Sequence, residues 1–461
     1  MSLRNLILKG GMYLTARQAL GMAISIVGML LVIRAIGPAA YGLYAATLGL
    51  YTYIFIFSQW GIGVYLIRMK GEFDETEFHQ AFSCFLILGG AGAAAAILAA
   101  PLLERGVGLQ GFGAVFSVMA LGLPVQLSLM TARARLEIDL DFRRVAVIEV
   151  VGQISYFLLA LPLAYTGWGA WAPLAGWWTN QAVLAILFFA VSGYRPRLHW
   201  NWIRVRRMMG YGLGYSASGW VWMARELVNP FIVARFLGAE AAGFVALTSG
   251  IVEKLSFVKT ATWRLSIAAL AKFQEDRTRL ARAISEGMQL QVMALGPILV
   301  GFGLVAPWVI PWLFGDRWQP VLTIFPFIAL GNLTNALFNL HSSALYVLQR
   351  NWEVTVFHLA HVILFAGGAF LLVPWVGLVG YGWAEVAALI SYSVLHLYVI
   401  KEIGDIGYLR STIWFFPLAI VLFTHQLGWW TALSLIFLIF WKNIKADSLQ
   451  LVKIIIPEKR I

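Results

Sequence analysis

The chain has 461 residues, 60% of them hydrophobic and 12% charged. That is about half the charged share of a soluble domain, and the mean hydropathy is +0.78. A water-soluble globule is excluded, because it could not hide this many apolar faces; the single cysteine, Cys84, excludes an intrachain disulfide and a cysteine metal site.

Apolar windows between charged or turn-rich loops predict helices at 12–34, 43–67, 80–103, 111–131, 145–166, 168–193, 210–235, 244–266, 283–310, 320–348, 354–375 and 377–400. Each is of the length a bilayer core requires, about 20 residues. Two shorter windows follow, 412–426 and 428–442, split around "HQLGWW"; they form either a short helical hairpin or one broken span. The first apolar stretch runs into a full-length span without a small-residue cleavage site, so no cleavable signal peptide is expected. The fold class expected is an all-α polytopic membrane protein with 12–14 transmembrane helices.

The net charge of +12 follows the topology. Starting from the N-terminus, every second loop together holds 25 of the 34 Lys and Arg residues, while the opposite set holds only Arg34, Arg105, Arg235 and Arg317. The positive-inside rule then places both termini in the cytoplasm. The basic charge is an orientation signal, and no nucleic-acid partner is expected.

Residues 32–49, "VIRAIGPAAYGLYAATLG", recur as residues 233–250, "VARFLGAEAAGFVALTSG". Eight positions agree at a constant offset of 201, among them Arg34/Arg235, Gly37/Gly238, Gly42/Gly243 and Gly49/Gly250. Six predicted crossings separate the copies. Six is even, so the halves are parallel rather than inverted repeats, with a cavity between them suited to alternating access. The glycines suit a tight turn needing positive φ, or a close helix approach. The division expected is an N-lobe at 1–193, a cytoplasmic linker at 194–209, a C-lobe at 210–402, and a C-terminal hairpin with a cytoplasmic tail at 403–461. The linker, "YRPRLHWNWIRVRRMM", mixes Arg with Trp and is expected to lie along the inner leaflet, with membrane lipids as its partner.

No phosphate loop, zinc-protease motif or nucleophile elbow is present, so neither an enzyme nor a cofactor is expected. Charges inside the spans cost about 2.5–3.5 kcal/mol each on insertion scales, which makes each a functional expectation. Arg17 lies about two turns into the first helix, where the alternative is a snorkelling side chain. Ser218, Trp222, Arg225 and Asn229 share a face of the seventh helix, beside Glu226, and Pro230 should kink that helix and free a carbonyl. Ser249, Glu253, Ser256, Thr260 and Arg264 recur at spacings of 4, 3, 4 and 4, a polar stripe on the eighth helix flanked by Lys254 and Lys259. Trp177, Trp178, Trp220 and Trp222 are either interfacial belt residues or platforms for sugar rings. His341, His358, His361 and His396 are read as packing or as a proton relay. The deep charges are mostly basic, which suits an anionic ligand such as a phosphate or pyrophosphate head group.

"RAIGPAAYGLYAATLGLY" after an N-terminal helix, "ARFLGAEAAGFVALTSG" in the second half and "LSIAALAKFQEDRTRLARAI" after the eighth helix resemble the Wzx-like oligosaccharide flippases. These are polysaccharide biosynthesis proteins of the multidrug/oligosaccharidyl-lipid/polysaccharide exporter superfamily, and the resemblance covers roughly residues 5–400. It implies a V-shaped, MATE-like bundle of two lobes in the bacterial inner membrane. It also implies translocation of undecaprenyl-pyrophosphate-linked oligosaccharide to the periplasmic leaflet, with a polymerase and glycosyltransferases as further partners. On that reading Arg17, Arg225, Lys254 and Lys259 compensate the head-group charge, Ser218, Asn229 and Trp222 line the site, and Glu226, Glu253 and Arg264 set the charge network. Many relatives carry Asp where this chain has Asn229. The alternatives are a cation-coupled multidrug antiporter of the same fold, a peptidoglycan lipid-precursor flippase, and a scaffold without transport.

Overall fold

A computed structural model of the chain describes residues 3–68 and 74–439. Side chains are described from residue 21 onward, apart from 22, 23, 68, 211, 214, 215, 258, 260, 261, 263–265, 268 and 439. Among the described residues every regular element is helical. Ten helical runs are long and apolar enough to cross a membrane, and Leu409–Val421 and Trp429–Leu438 are shorter apolar helices. Two of the ten, Ile24–Gln59 and Ser216–Leu255, each overlap two of the expected spans, so all twelve expected spans fall on helix and a short terminal pair follows. Outward apolar side chains such as Leu98, Leu158 and Leu371 are more than 60% exposed. Only lipid satisfies such a surface, and the chain is a multi-pass membrane protein.

The chain separates into two compact units, Met1–Gly243 and Phe244–Ile461. The first holds α1 (Leu3–Gln59), α2 (Ile62–Arg68), α3 (Glu75–Val107), α4 (Phe112–Ala120), α5 (Leu123–Ile138), α6 (Phe142–Tyr165), α7 (Trp171–Val191) and α8 (Trp202–Met223), followed by the start of α9 (Arg235–Leu255). Within it α6 packs on α7 and on α1, and α3 packs on α4 and α5. Small residues set these distances. Gly176 leaves no room for a Cβ beside the Tyr156 carbonyl, and Gly89 none beside Pro124. Trp177 is 8% exposed, edge-on to Tyr51 at 5.1 Å and stacked over Gly122. Trp178 donates to the Val118 carbonyl at 3.1 Å. The Trp177 indole is committed to the helix core, which leaves it no face for a sugar ring, while Trp178 is half-buried.

The repeated segment is a one-residue break. α1 runs through Gly37 and α9 through Gly238, where φ is 76° and 86° respectively. Glycine adopts that conformation without the Cβ penalty of about 1–2 kcal/mol. Five residues further on, the copies meet each other. A Cβ on Gly42 would lie 1.7 Å from the Ala239 carbonyl oxygen, and one on Gly243 would lie 2.4 Å from the Pro38 carbonyl oxygen. Pro38 and Ala239 are themselves repeat mates at the offset of 201. Each copy thus presents its glycine to the other's backbone, the reciprocal pattern of a two-fold contact. Close by, Arg235 Nη1 donates to the Arg105 carbonyl at 2.6 Å at the C-terminal end of α3, where a helix end favours a cation. Two of the four arginines expected on one face of the membrane therefore meet.

The linker is pinned rather than loose. Residues 194–201 form no regular element, and their backbone is read by α3: Ser83 Oγ accepts from His199 N at 2.9 Å, and Gln80 Oε1 from Asn201 N at 2.5 Å. Asn201 then caps α8 by accepting from Ile203 N and Arg204 N, so the helix starts eight residues before the expected 210. Arg204 Nη1 lies 2.9 Å from both Asp74 Oδ2 and Glu77 Oε1. Leu198, Trp200, Trp202 and Ile203 remain half or more exposed.

The Arg204 guanidinium, helped by the Thr76 N–H, holds the Asp74 carboxyl below the usual carboxylate range. A carboxyl depressed by folding stabilises fully above its ordinary value of about 4, and that contribution disappears as pH falls through the lower folded value. Acid should therefore loosen residues 199–204, seen as faster hydrogen exchange below about pH 4. Asp74→Asn should remove most of that response and speed tryptic cleavage after Arg197 several-fold at pH 7; cleavage at the parent rate would show that the contact pins nothing.

The second unit holds the end of α9, then α10 (Phe257–Ala271), α11 (Arg277–Phe314), α12 (Val321–Val347), α13 (Asn351–Val376), α14 (Leu378–Ala388), α15 (Tyr392–Ile403), α16 (Leu409–Val421), α17 (Thr424–Leu427) and α18 (Ile436–Ile439). α12 is its central helix, packed on α10, α11 and α14. α16 docks on α11, with Leu418 over Gly296 and His425 Nε2 3.1 Å from the Gly303 carbonyl. The terminal apolar region is thus a short hairpin, folded back where Ser434 Oγ reaches the Pro417 carbonyl at 3.1 Å.

Candidate functional site

The polar segment after α8 departs from regular helix twice. Ala224–Leu227 is a 3₁₀ turn and Asn229–Ala234 a π-helical turn. Pro230 is the physical cause: it has no N–H for the Glu226 carbonyl, four residues back, and its ring crowds that turn. Gly49 of α1 lies beside that carbonyl oxygen, where a Cβ would be 3.6 Å away. The expected disturbance of the helix at Pro230 is present. The regular face expected for Ser218, Trp222, Arg225 and Asn229 is not, because a 3₁₀ turn followed by a π turn rotates the residues beyond it.

Trp222 and Arg225 come together, with the Arg225 guanidinium carbon 5.0 Å from the indole centroid. That is a cation–π contact, so the indole faces its own arginine. Both side chains are half-buried, Glu226 is exposed, and Ser218 is buried at 8% exposure. Asn229 Nδ2 donates to the Ala242 carbonyl at 3.2 Å, while its Oδ1 is buried with no hydrogen-bond partner among the described residues. The asparagine therefore ties this turn to the repeated segment. A carboxylate could not make that contact, because it has no donor.

In the second unit the expected polar stripe is interrupted. α9 ends at Leu255 and α10 begins at Phe257, with Ser256 between them. Ser256 is 1% exposed while Glu253 is exposed, so the two do not share one wet face. Lys254 is half-buried. Lys259 is half-buried too, and its Nζ donates to Asn332 Oδ1 of α12 at 2.7 Å. The side chains of Arg17, Thr260 and Arg264 lie outside the described ones. The structure thus pairs Arg225 with Trp222 and Lys259 with Asn332, and gives Ser218 a buried position.

Asn332 was not singled out in the sequence, although the signal was there: Asn332, Asn335, Asn339 and Ser342 follow helical spacing on one apolar helix. Asn335 Nδ2 donates to Tyr392 Oη at 3.0 Å, and Glu385, 3% exposed, accepts from Tyr381 Oη at 3.4 Å. Among the described residues no cluster of His, Cys, Asp or Glu is placed to hold a metal ion.

A half-buried arginine on an aromatic face and a lysine oriented by an asparagine are both hydrogen-bond donors carrying a positive charge. Such groups hold phosphate oxygens well. The chain is 22% identical over 343 residues to the lipopolysaccharide biosynthesis protein WzxC of Escherichia coli, covering 74% of this chain and 69% of that one. Its fold is similar to that of the lipid II flippase MurJ, with a TM-score of 0.68, 12% identity and coverage of 95% and 98% of the two chains. It is also similar to an inward-facing MATE family multidrug resistance transporter of the MOP superfamily, with a TM-score of 0.67, 14% identity and coverage of 83% and 95%. A family model described as polysaccharide biosynthesis protein matches residues 31–323. That match spans more than half of the 461 residues, from the first repeat copy to the start of α12, and the chain belongs to the polysaccharide biosynthesis protein family.

Proposed function

We propose that the chain flips an oligosaccharide linked to undecaprenyl pyrophosphate from the cytoplasmic to the periplasmic leaflet, by alternating access, for surface polysaccharide synthesis. The observation that carries this reading is the set of basic groups Arg225 and Lys254, inside an apolar span, and Lys259, on the helix that follows it, in a chain of this family. The head group is an anion that must cross a medium hostile to charge, and fixed donors lower that barrier. Arg17 and Arg264 belong to the same basic set, with Glu226 and Glu253 tuning it, while Ser218, Asn229 and Trp222 complete the polar wall. The transmembrane potential, negative inside, favours outward movement of an anion by ~2.3 kcal/mol per charge per 100 mV.

The same reading makes residues 1–193 and 210–402 the two parallel lobes, with both termini cytoplasmic in a bacterial inner membrane. The upstream partners are glycosyltransferases and the downstream partner is a polymerase. Transport rather than catalysis accords with the relatives in fold, a flippase and a drug transporter.

The deciding experiment is a deletion in the host that carries the gene. Surface polysaccharide should disappear and the pyrophosphate-linked repeat unit should accumulate in the inner membrane, shielded from a sugar-modifying enzyme added to the periplasm. Normal surface polysaccharide in the deletion strain would refute the proposal.

A further inference from the structure

The second unit contains a buried titratable trio that head-group binding leaves unused. His341 of α12 is completely buried, and His396 of α15 is half-buried. Tyr408 is the residue just before α16, where the C-terminal hairpin begins. Its Oη lies 2.6 Å from His341 Nε2 and 2.6 Å from His396 Nδ1. Phe338 covers the His341 ring at 5.0 Å, and Ser285 Oγ donates to the neighbouring Gly407 carbonyl.

A tyrosine hydroxyl owns one proton. It donates that proton to one imidazole and must accept from the other. Two neutral arrangements exist; passing from one to the other reverses both hydrogen bonds and switches the tautomer of both rings. In both, His341 Nδ1 is a buried polar atom with no hydrogen-bond partner among the described residues.

One added proton fits without rearrangement. His396 as imidazolium donates from Nδ1 to Oη, and Tyr408 donates to His341 Nε2, so one contact becomes a stronger charge-assisted bond. A second proton does not fit. Both rings would then present N–H to Oη, leaving the hydroxyl proton without an acceptor and a charge on the fully buried ring.

The charged surroundings are sparse. Asp405, exposed, acts on Tyr408, whose phenol is pushed up by burial first and by that charge second. On the packed helices Glu286 of α11, Lys401 of α15 and Arg410 of α16 are exposed. Glu402 pairs with Arg350 at 3.0 Å. His361 of α13 is directed to Ser391 at 3.0 Å, and Glu385 of α14 to Tyr381. Among the described residues no acid is recorded in an ion pair with His341 or His396.

We propose that His341, Tyr408 and His396 form a binding site for a single proton that fastens the start of the C-terminal hairpin to α12 and α15. The bound proton tightens the tie, and histidine is the side chain that titrates between pH 5 and 8. The site does not depend on the flippase reading.

The test uses the full-length purified protein in lipid nanodiscs with no substrate. Leu409, 68% exposed, becomes the single label position as Leu409→Cys with Cys84→Ser, carrying an environment-sensitive fluorophore. Between pH 8 and pH 5 the parent should show one transition with the steepness of one proton. His396→Gln and Tyr408→Phe, which alter a half-buried ring and one oxygen, should each cut its amplitude at least five-fold. No transition in the parent, or full amplitude in both variants, overturns the proposal. If either variant fails to fold, the parent labelled with ¹⁵N-histidine decides: two of the seven histidines must shift together across the transition, and independent titration of all seven overturns it. Failure here leaves flipping untouched, and a non-flipping protein can still bind the proton.

Discussion

Gly42→Ala is expected to lower the melting temperature of the purified protein by about 3–6 °C, on the order of 3 kcal/mol. The reason is geometric. The added methyl would stand 1.7 Å from the Ala239 carbonyl oxygen, a backbone atom that no rotamer change can move. The two segments must separate, and the contacts on both sides of the crossing weaken together. Gly243→Ala should act in the same direction and less strongly, since its methyl meets the Pro38 carbonyl at 2.4 Å. The double variant should cost less than the sum, because one widened crossing accommodates both methyls. Gly250→Ala is the matched control. It is the third glycine of the same repeat and has nothing within 4 Å of the added carbon. Equal melting temperatures for Gly42→Ala and Gly250→Ala, followed by intrinsic fluorescence in detergent, would mean that the crossing is not close-packed.

Arg225→Ala should reduce surface polysaccharide at least about tenfold while the protein still inserts at its normal level. A hydrogen bond to a charged group contributes about 1.5–3 kcal/mol, and each 1.4 kcal/mol is a factor of about ten. Insertion should survive because the side chain is half-buried and leans on Trp222 rather than filling a core. Arg225→Lys keeps the charge and loses the planar fork, so it should fall between the parent and the alanine variant. Lys254→Ala should behave like Arg225→Ala. Normal polysaccharide in both alanine variants, with protein levels checked by immunoblot, would remove these residues from the head-group site.

How far these expectations were readable in advance differs from residue to residue. The positive φ at Gly37 and Gly238 was legible, because no other residue serves a turn that tight and both copies keep it. The effect of Pro230 was legible as well, since a missing N–H is a property of the residue itself. The way the helix absorbs it was not. A 3₁₀ turn followed by a π turn depends on what packs beside the disturbed turn, here Gly49 of another helix next to the Glu226 carbonyl. The eighth-helix stripe failed for a similar reason: a spacing rule assumes an unbroken helix, and the break at Ser256 invalidates it midway. Trp177 looked available because tryptophan is common at interfaces, yet its burial depends on Tyr51 and Gly122, distant in sequence.

By itself the sequence determined the solvent of this protein, the places of its apolar helices and the recurrence of one segment at a constant offset. Apolar window length, turn residues and a repeat at constant offset are local properties, and the bilayer enforces them on any chain. Tertiary structure alone decided which partners the chosen residues meet: Trp222 for Arg225, Asn332 for Lys259, Ala242 for Asn229, and one tyrosine hydroxyl for two histidines. Hydrogen-bond and ring contacts reach only a few ångströms and join residues up to 73 positions apart in these cases. Pattern along the chain places such groups on faces, and only packing of one helix against another brings their atoms within reach.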